Sequence, residues 1–240
     1  DKDLNEIEKH TQTIEWNSSA AEKDGFDDFM LKEIYEQPTA IRETIGAKIN
    51  LNSKCEFDEL GFTKDYLSSL NKIYIVACGT AMHAGLSGKN AIEKLCRIPT
   101  EVDIASEFRY RDTIIDEKTL CIFISQSGET ADTIAALKLS KEKGAKTLAI
   151  TNVIGSSITR EADYSIYTHA GPEIAVASTK AYTTQAVIMN LLGMYLADLK
   201  GLLKSEEEAE IKNALLELPS KVEEVLNQKA QIAKIAKLIS

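Results

Sequence analysis

One run constrains this chain more than any other. Leu120–Ile124 (LCIFI) is apolar at every position, without alternation, and ends at Ser125-Gln126-Ser127-Gly128. A strand with two apolar faces must be covered on both, as in the centre of a parallel sheet flanked by helices. The neighbouring segments agree. Lys72–Ala77 (KIYIVA) is a short β-rich run ending at Cys78-Gly79-Thr80, and Thr100–Ile104, Thr147–Ile150 and Tyr164–Tyr167 also read as strands. Ala81–Cys96 and Thr130–Lys143 read as helices between them. Ser178–Leu199 is a long apolar helix whose weak one-sidedness predicts burial on more than one face. Alternating strands and helices predict an α/β fold built of βαβ units.

Both ends of the chain have a different texture. Residues 1–25 are polar and read as a linker or arm; Asn17-Ser18-Ser19 within them matches a glycosylation acceptor by chance. Phe26, Phe29, Met30, Ile34, Ile41 and Ile45 recur at helical spacing, in a helix that Pro38 should break. After Gly201, two charged amphipathic helices are expected at Ser205–Glu217 and Ser220–Ile239, separated by Pro219. Ser205 and Ser220 are their candidate N-caps, with Glu208 and Glu223 three residues on.

Composition excludes several classes. The 240 residues suffice for one large domain or two small ones, and the net charge of −9 argues against nucleic acid as a partner and against a polybasic membrane anchor. No run is long and apolar enough for a transmembrane helix, and Asp1-Lys2-Asp3 does not resemble a signal peptide. Cys55, Cys78, Cys96 and Cys121 contain no CxxC spacing; the last three sit among apolar residues and read as reduced core side chains, which suggests the cytoplasm. His10, His83 and His169 are scattered, so no metal site is expected, and no cofactor motif is visible.

Two strand ends carry hydroxyl-rich turns that lead into helices: Cys78-Gly79-Thr80 and Ser125-Gln126-Ser127-Gly128-Glu129-Thr130. In an open parallel sheet both lie at the carboxyl edge, where ligands bind. Helix N-termini there offer free N–H groups, Ser and Thr add donors, and Gly128 allows close backbone approach, so an anion can be held without Lys or Arg. The competing reading makes Ser127 and Thr130 ordinary helix caps, but the hydroxyls outnumber what one cap needs. A P-loop is excluded because Asn90 follows Gly88-Lys89, and both GxGxxG and GxSxG are missing. A small phosphorylated molecule remains. A third segment, Gly171–Lys180 (GPEIAVASTK), leads into the long helix. Ser178 or Thr179 could cap that helix or meet a ligand. Lys180 reads as a solvated lysine before a Schiff-base or phosphate one, Glu129 as a dipole partner of its own helix, and Glu173 as a possible acid–base group.

These segments, with FMLKEIYEQP at Phe29–Pro38, IASEFRYR at Ile104–Arg111 and ASTKA at Ala177–Ala181, resemble the isomerase portion of the glutamine–fructose-6-phosphate aminotransferase family, from about Ile14 onward. SQSGET alone would indicate only the wider sugar-isomerase (SIS) fold. The resemblance implies a three-layer αβα sandwich with a five-stranded parallel sheet and extra C-terminal helices. It implies that Ser125, Gln126, Ser127 and Thr130 hold a phosphate, while Thr80, Val176 (by its backbone) and Ser178 contact the sugar. The implied ligands are fructose 6-phosphate and glucosamine 6-phosphate, and the implied assembly is a homodimer, to which the apolar surface of the long helix would contribute. Residues 1–25 would link to a glutaminase module and residues 26–204 would form the SIS domain. Residues 205–240 would lead into a second SIS module, which in the family carries the isomerising Glu, Lys and His. No catalytic residue is therefore expected here. Ala81 departs from the Ser common after the family's Cys-Gly-Thr, so only a backbone contact could occur there. The alternative is a stand-alone SIS phosphosugar module of a regulator; such proteins carry a basic helix pair, whereas residues 1–70 are rich in acids.

Overall fold

The computed structural model describes residues 22–49 and 55–239. Most of the expected linker at 1–25, including His10 and Asn17-Ser18-Ser19, lies outside the described residues. The strands are β1 (Lys72–Ala77), β2 (Thr100–Ile104), β3 (Thr119–Ile124), β4 (Lys146–Thr151) and β5 (Tyr164–Tyr167), all parallel, in the order β2-β1-β3-β4-β5. The helices are α1 (Phe29–Gly46), α2 (Lys64–Ser69), α3 (Gly79–Cys96), α4 (Ala105–Tyr110), α5 (Ala131–Glu142), α6 (Ser157–Glu161), α7 (Lys180–Lys200), α8 (Ser205–Leu226) and α9 (Lys229–Ile239). The expected strands and long helices of the sheet domain are present to within two residues. The short helices α2, α4 and α6 have too few turns to show a period in the sequence.

Two cores follow from the pleat, because successive side chains leave a strand on opposite faces. Ile73, Ile75, Leu120, Ile122, Ile124, Leu148 and Ile150 pack against α1, α2, α3 and α7. Tyr74, Val76, Cys121, Phe123 and Ala149 pack on the other face against Phe108 of α4, Leu137 of α5 and Ile158 of α6. This is the three-layer αβα sandwich expected. α7 is buried along most of its length, as its weak one-sidedness indicated, but its own chain covers it. The surplus apolar surface expected to drive self-association is therefore spent within the chain.

Two prolines behave differently from expectation. Pro38 sits inside an unbroken α1. It cannot donate to the carbonyl of Ile34, four residues back, but the Gln37 side-chain amide donates there instead, at 3.1 Å. Pro219 likewise lies within α8, and the helix ends only at Leu226. Pro219 is buried, and Leu215, Leu218 and Val222 around it pack onto the core, so packing carries the helix through it. Ser220 is consequently mid-helix, and Ser205 is the first helical residue rather than a cap. Glu206, Glu207 and Glu208 in that first turn face the positive end of the helix dipole in place of a capping side chain.

The α3–α7 contact is close because glycines line it. A Cβ on Gly88 would lie 2.2 Å from Met189 Cε and 2.8 Å from Met189 Cβ. The Cε can swing away, but the Cβ moves only with its backbone. Gly88→Ala should therefore destabilise the chain by about 1–3 kcal/mol, read as a lower urea midpoint at unchanged slope; a wild-type midpoint would contradict this packing.

Candidate functional site

β1 leads through α3 to β2 on one side of the sheet, and β3 leads through α5 to β4 on the other. The strand order thus reverses between β1 and β3, and the loops after those strands diverge to leave a crevice. A cleft of about 210 Å³ lies there, lined by Cys78, Thr80 and Ala81 after β1 and by Ser125, Gln126, Ser127 and Thr130 after β3. Glu173, Ala175, Val176, Ser178 and Gln185 complete it. All seven residues singled out in the sequence meet in this cleft. Pockets for drug-sized ligands run to ~300–1,000 Å³, so this one suits a smaller molecule. A larger groove of about 660 Å³ between α1 and the α8–α9 arm is apolar and lies away from the strand ends.

The Ser125–Thr130 turn is held from outside. The Gln126 carbonyl accepts the Asn152 N–H at 3.1 Å and the Thr151 hydroxyl at 3.2 Å, and the Gly128 carbonyl accepts the Ile158 N–H at 3.0 Å. Inside the turn, Ser125 Oγ accepts the Gly128 N–H at 3.1 Å and lies 3.0 Å from Thr130 Oγ1, while Ser127 Oγ accepts the Glu129 N–H at 3.2 Å. Thr130 occupies the N-cap of α5, yet its side chain caps nothing. The first N–H groups of α5 therefore remain available, and the capping alternative for Thr130 does not hold. The side chain of Cys78, the N-cap of α3, also makes no capping bond.

The carboxylates near the cleft are already occupied. Glu173 Oε1 accepts the N–H groups of Thr179 and Ala181 at 2.9 and 3.0 Å, and its Oε2 accepts the Ser178 hydroxyl at 3.1 Å. It thereby caps α7 from outside the helix, which answers whether Ser178 or Thr179 does so. Glu129 accepts the Ser157 N–H at 2.7 Å and serves the start of α6, not of its own helix. Bonds from the Ser157 hydroxyl and N–H hold its carboxyl below the usual carboxylate range. The first-turn acid of α5 is Asp132, paired with Arg109 at 3.2 Å. Lys180 is not solvated: it is 3% exposed and pairs with Glu36 of α1 at 2.6 Å. Among the described residues, no Lys or Arg lines the cleft.

Several neighbours were not read from the sequence. Cys78 packs at the edge of the core that holds Cys121, but it is only half-buried and also forms part of the cleft wall, with its thiol 3.9 Å from Thr133 Oγ1. Gln185 is 1% exposed and lines the cleft from α7. Its place one turn beyond Ala181 is the signal that could have found it. Among the described residues no group of three or more His, Cys, Asp or Glu could hold a metal, and no helix is long and apolar enough to cross a membrane.

A family model for the SIS domain matches residues 66–195. The chain is 57% identical over 236 residues to a Clostridium perfringens protein named glutamine–fructose-6-phosphate aminotransferase (isomerizing), covering 98% of this chain and 39% of that one. It is 51% identical over 222 residues to the protein of the same name from Corynebacterium glutamicum, covering 92% and 36%. The chain thus spans about two-fifths of the length of these relatives. Among solved structures it resembles the C-terminal domain of glucosamine-fructose-6-phosphate aminotransferase from Francisella tularensis, with a TM-score of 0.84 and 41% identity over 89% of this chain and 60% of that one.

The turn leaves no room for a side chain at Gly128. Its φ is +68°, and a Cβ there would lie 2.2 Å from Ser156 Oγ and 2.6 Å from Ser156 Cβ. Gly128→Ala should cost about 1–3 kcal/mol in thermal unfolding and speed amide exchange at Ile158, whose bond to Gly128 it disturbs. Adding Ser156→Gly should recover only part of the loss, because the positive φ remains; complete recovery would assign the whole cost to crowding.

Proposed function

Since this chain belongs to the SIS domain family, we propose that its cleft binds a sugar phosphate, and that the chain is the phosphosugar-binding part of an enzyme that makes glucosamine 6-phosphate from fructose 6-phosphate and glutamine. In this reading the α5 N-terminus with Ser125, Gln126, Ser127 and Thr130 takes the phosphate. Thr80, the Val176 backbone and Ser178 take the sugar. The observation that carries it is the uncapped start of α5, facing a cleft rich in hydroxyls and free of Lys and Arg. A helix N-terminus carries roughly half a positive charge, and the hydroxyls supply directed donors. The names of the relatives support the substrate. The division into a linker at 1–25, an SIS domain at 26–204 and a lead-in at 205–240 belongs to the same reading, as do a cytoplasmic location and a homodimer; the homodimer rests on the family resemblance alone.

Ser127→Ala and Thr130→Ala should each weaken fructose 6-phosphate binding by about 1–3 kcal/mol, the loss of one hydrogen bond to a charged group. Titration calorimetry gives the measurement, and unchanged affinity in both variants would remove these residues from the site.

The chain by itself should bind the sugar phosphate and leave it unchanged. Isomerisation needs a base within hydrogen-bond reach of the proton it removes, and both oxygens of Glu173, the carboxylate lining the cleft, already accept hydrogen bonds. NMR after incubation with fructose 6-phosphate, with and without glutamine or ammonia, should show neither glucose 6-phosphate nor glucosamine 6-phosphate. Turnover that scales with protein and vanishes in Glu173→Gln would put the base on this chain.

A further inference from the structure

We propose that Glu33, on α1, is a positioning residue for the sugar end of the cleft: its carboxylate sets the course of the 174–178 stretch that carries Val176 and Ser178. The inference rests on the sugar-phosphate reading above and adds to it a residue that does not line the cleft.

The segment between β5 and α7 has no regular structure; beyond the Thr44 hydroxyl, which donates to the Thr168 carbonyl at 2.5 Å, three side chains hold it. At its start, Asn152 Oδ1 accepts the Thr168 hydroxyl at 3.0 Å and the Ala170 N–H at 2.9 Å, and Asn152 Nδ2 donates to the Gly171 carbonyl at 2.6 Å. At its end, Glu173 gathers Ser178, Thr179 and Ala181. Between these clamps, the N–H groups of Ile174 and Ala175 both donate to Glu33 Oε1, at 2.5 and 3.0 Å. The next residue, Val176, is fully exposed, so no packing of its own side chain fixes its peptide groups. Their direction is inherited from the two amides that Glu33 holds.

Glu33 is itself rigidly placed. It is 2% exposed. α1 is locked to α7 by Glu36–Lys180 at 2.6 Å and by the Thr183 hydroxyl donating to Gln37 Oε1 at 2.6 Å. A site residue supported from a helix is held more closely than one supported from a loop. The other oxygen of Glu33, Oε2, is buried with no hydrogen-bond partner. Buried carboxylate oxygens are usually bonded; here one oxygen takes both loop amides, so the carboxylate is committed to the loop. The phosphate end makes no contact with Glu33, because the Ser125–Thr130 turn is held by residues 151, 152 and 158.

Glu33 should therefore separate two ligands. Wild type, Glu33→Ala, Glu33→Gln and Glu33→Asp are titrated with fructose 6-phosphate and, separately, with inorganic phosphate, following backbone amides by NMR. Glu33→Ala should weaken fructose 6-phosphate about tenfold, as expected of a displaced contact, and inorganic phosphate less than about twofold. Glu33→Gln keeps a carbonyl oxygen at the same reach and should restore sugar affinity to within about threefold of wild type, whereas Glu33→Asp is one methylene short and should not. Equal weakening of both ligands, or unchanged affinity for both, would overturn the proposal. If Glu33→Ala does not fold, the contrast between Gln and Asp decides: distinct sugar affinities support the role, and indistinguishable ones overturn it. A wild-type chain that takes up inorganic phosphate but not fructose 6-phosphate would instead overturn the reading of the cleft, and this inference with it.

Discussion

Every side chain of β3 is buried, and its two faces meet different sets of helices. That double cover organises the molecule. A strand with water on neither side has to sit inside the sheet, with parallel neighbours on both edges and crossovers on both faces. β1 and β4 are those neighbours. Because one crossover departs from β1 to the left of this pair and another from β3 to the right, the chain itself opens the crevice at their carboxyl ends. The cleft is thus a consequence of how the central strand is buried.

The same crevice resolves an electrostatic problem. On the proposed reading, a chain with net charge −9 has to attract an anion to a cleft whose described lining carries no cationic side chain. Local dipoles can do this where the average field cannot, since they act over the few ångströms at a helix end. Helix starts converge here, and the protein's own carboxylates take some of them: Glu173 closes α7 and Glu129 closes α6. α3 and α5 stay without side-chain caps. On that reading the acids near the site act as stoppers, and the starts of α3 and α5 stay open to an external anion.

The readings that went astray share one cause. Lys180 was expected in solvent because its partner, Glu36, is 144 residues away. Glu129 was assigned to the helix it precedes in sequence, although it serves α6, 28 residues on. Cys78 reads as a core cysteine and does pack at the edge of one core, but Thr133, 55 residues on, meets its thiol where the cleft wall begins. In each case the local pattern was read correctly, and a distant partner changed its meaning.

The sequence by itself determined the strands, the long helices of the sheet domain and the hydroxyl-rich turns that gather in the cleft. These depend on periodicity and on short-range turn chemistry, both of which are written in consecutive residues. Only the tertiary structure decided which helix ends are closed and which stay open, that α1 reaches across to hold the 174–175 amides, and that α7 spends its apolar surface within its own chain. Those outcomes are pairings between side chains more than a hundred residues apart, or between a carboxylate and whichever backbone N–H the packing brings near. Hydrogen bonds act over about 3 Å of space, with no regard to separation along the chain.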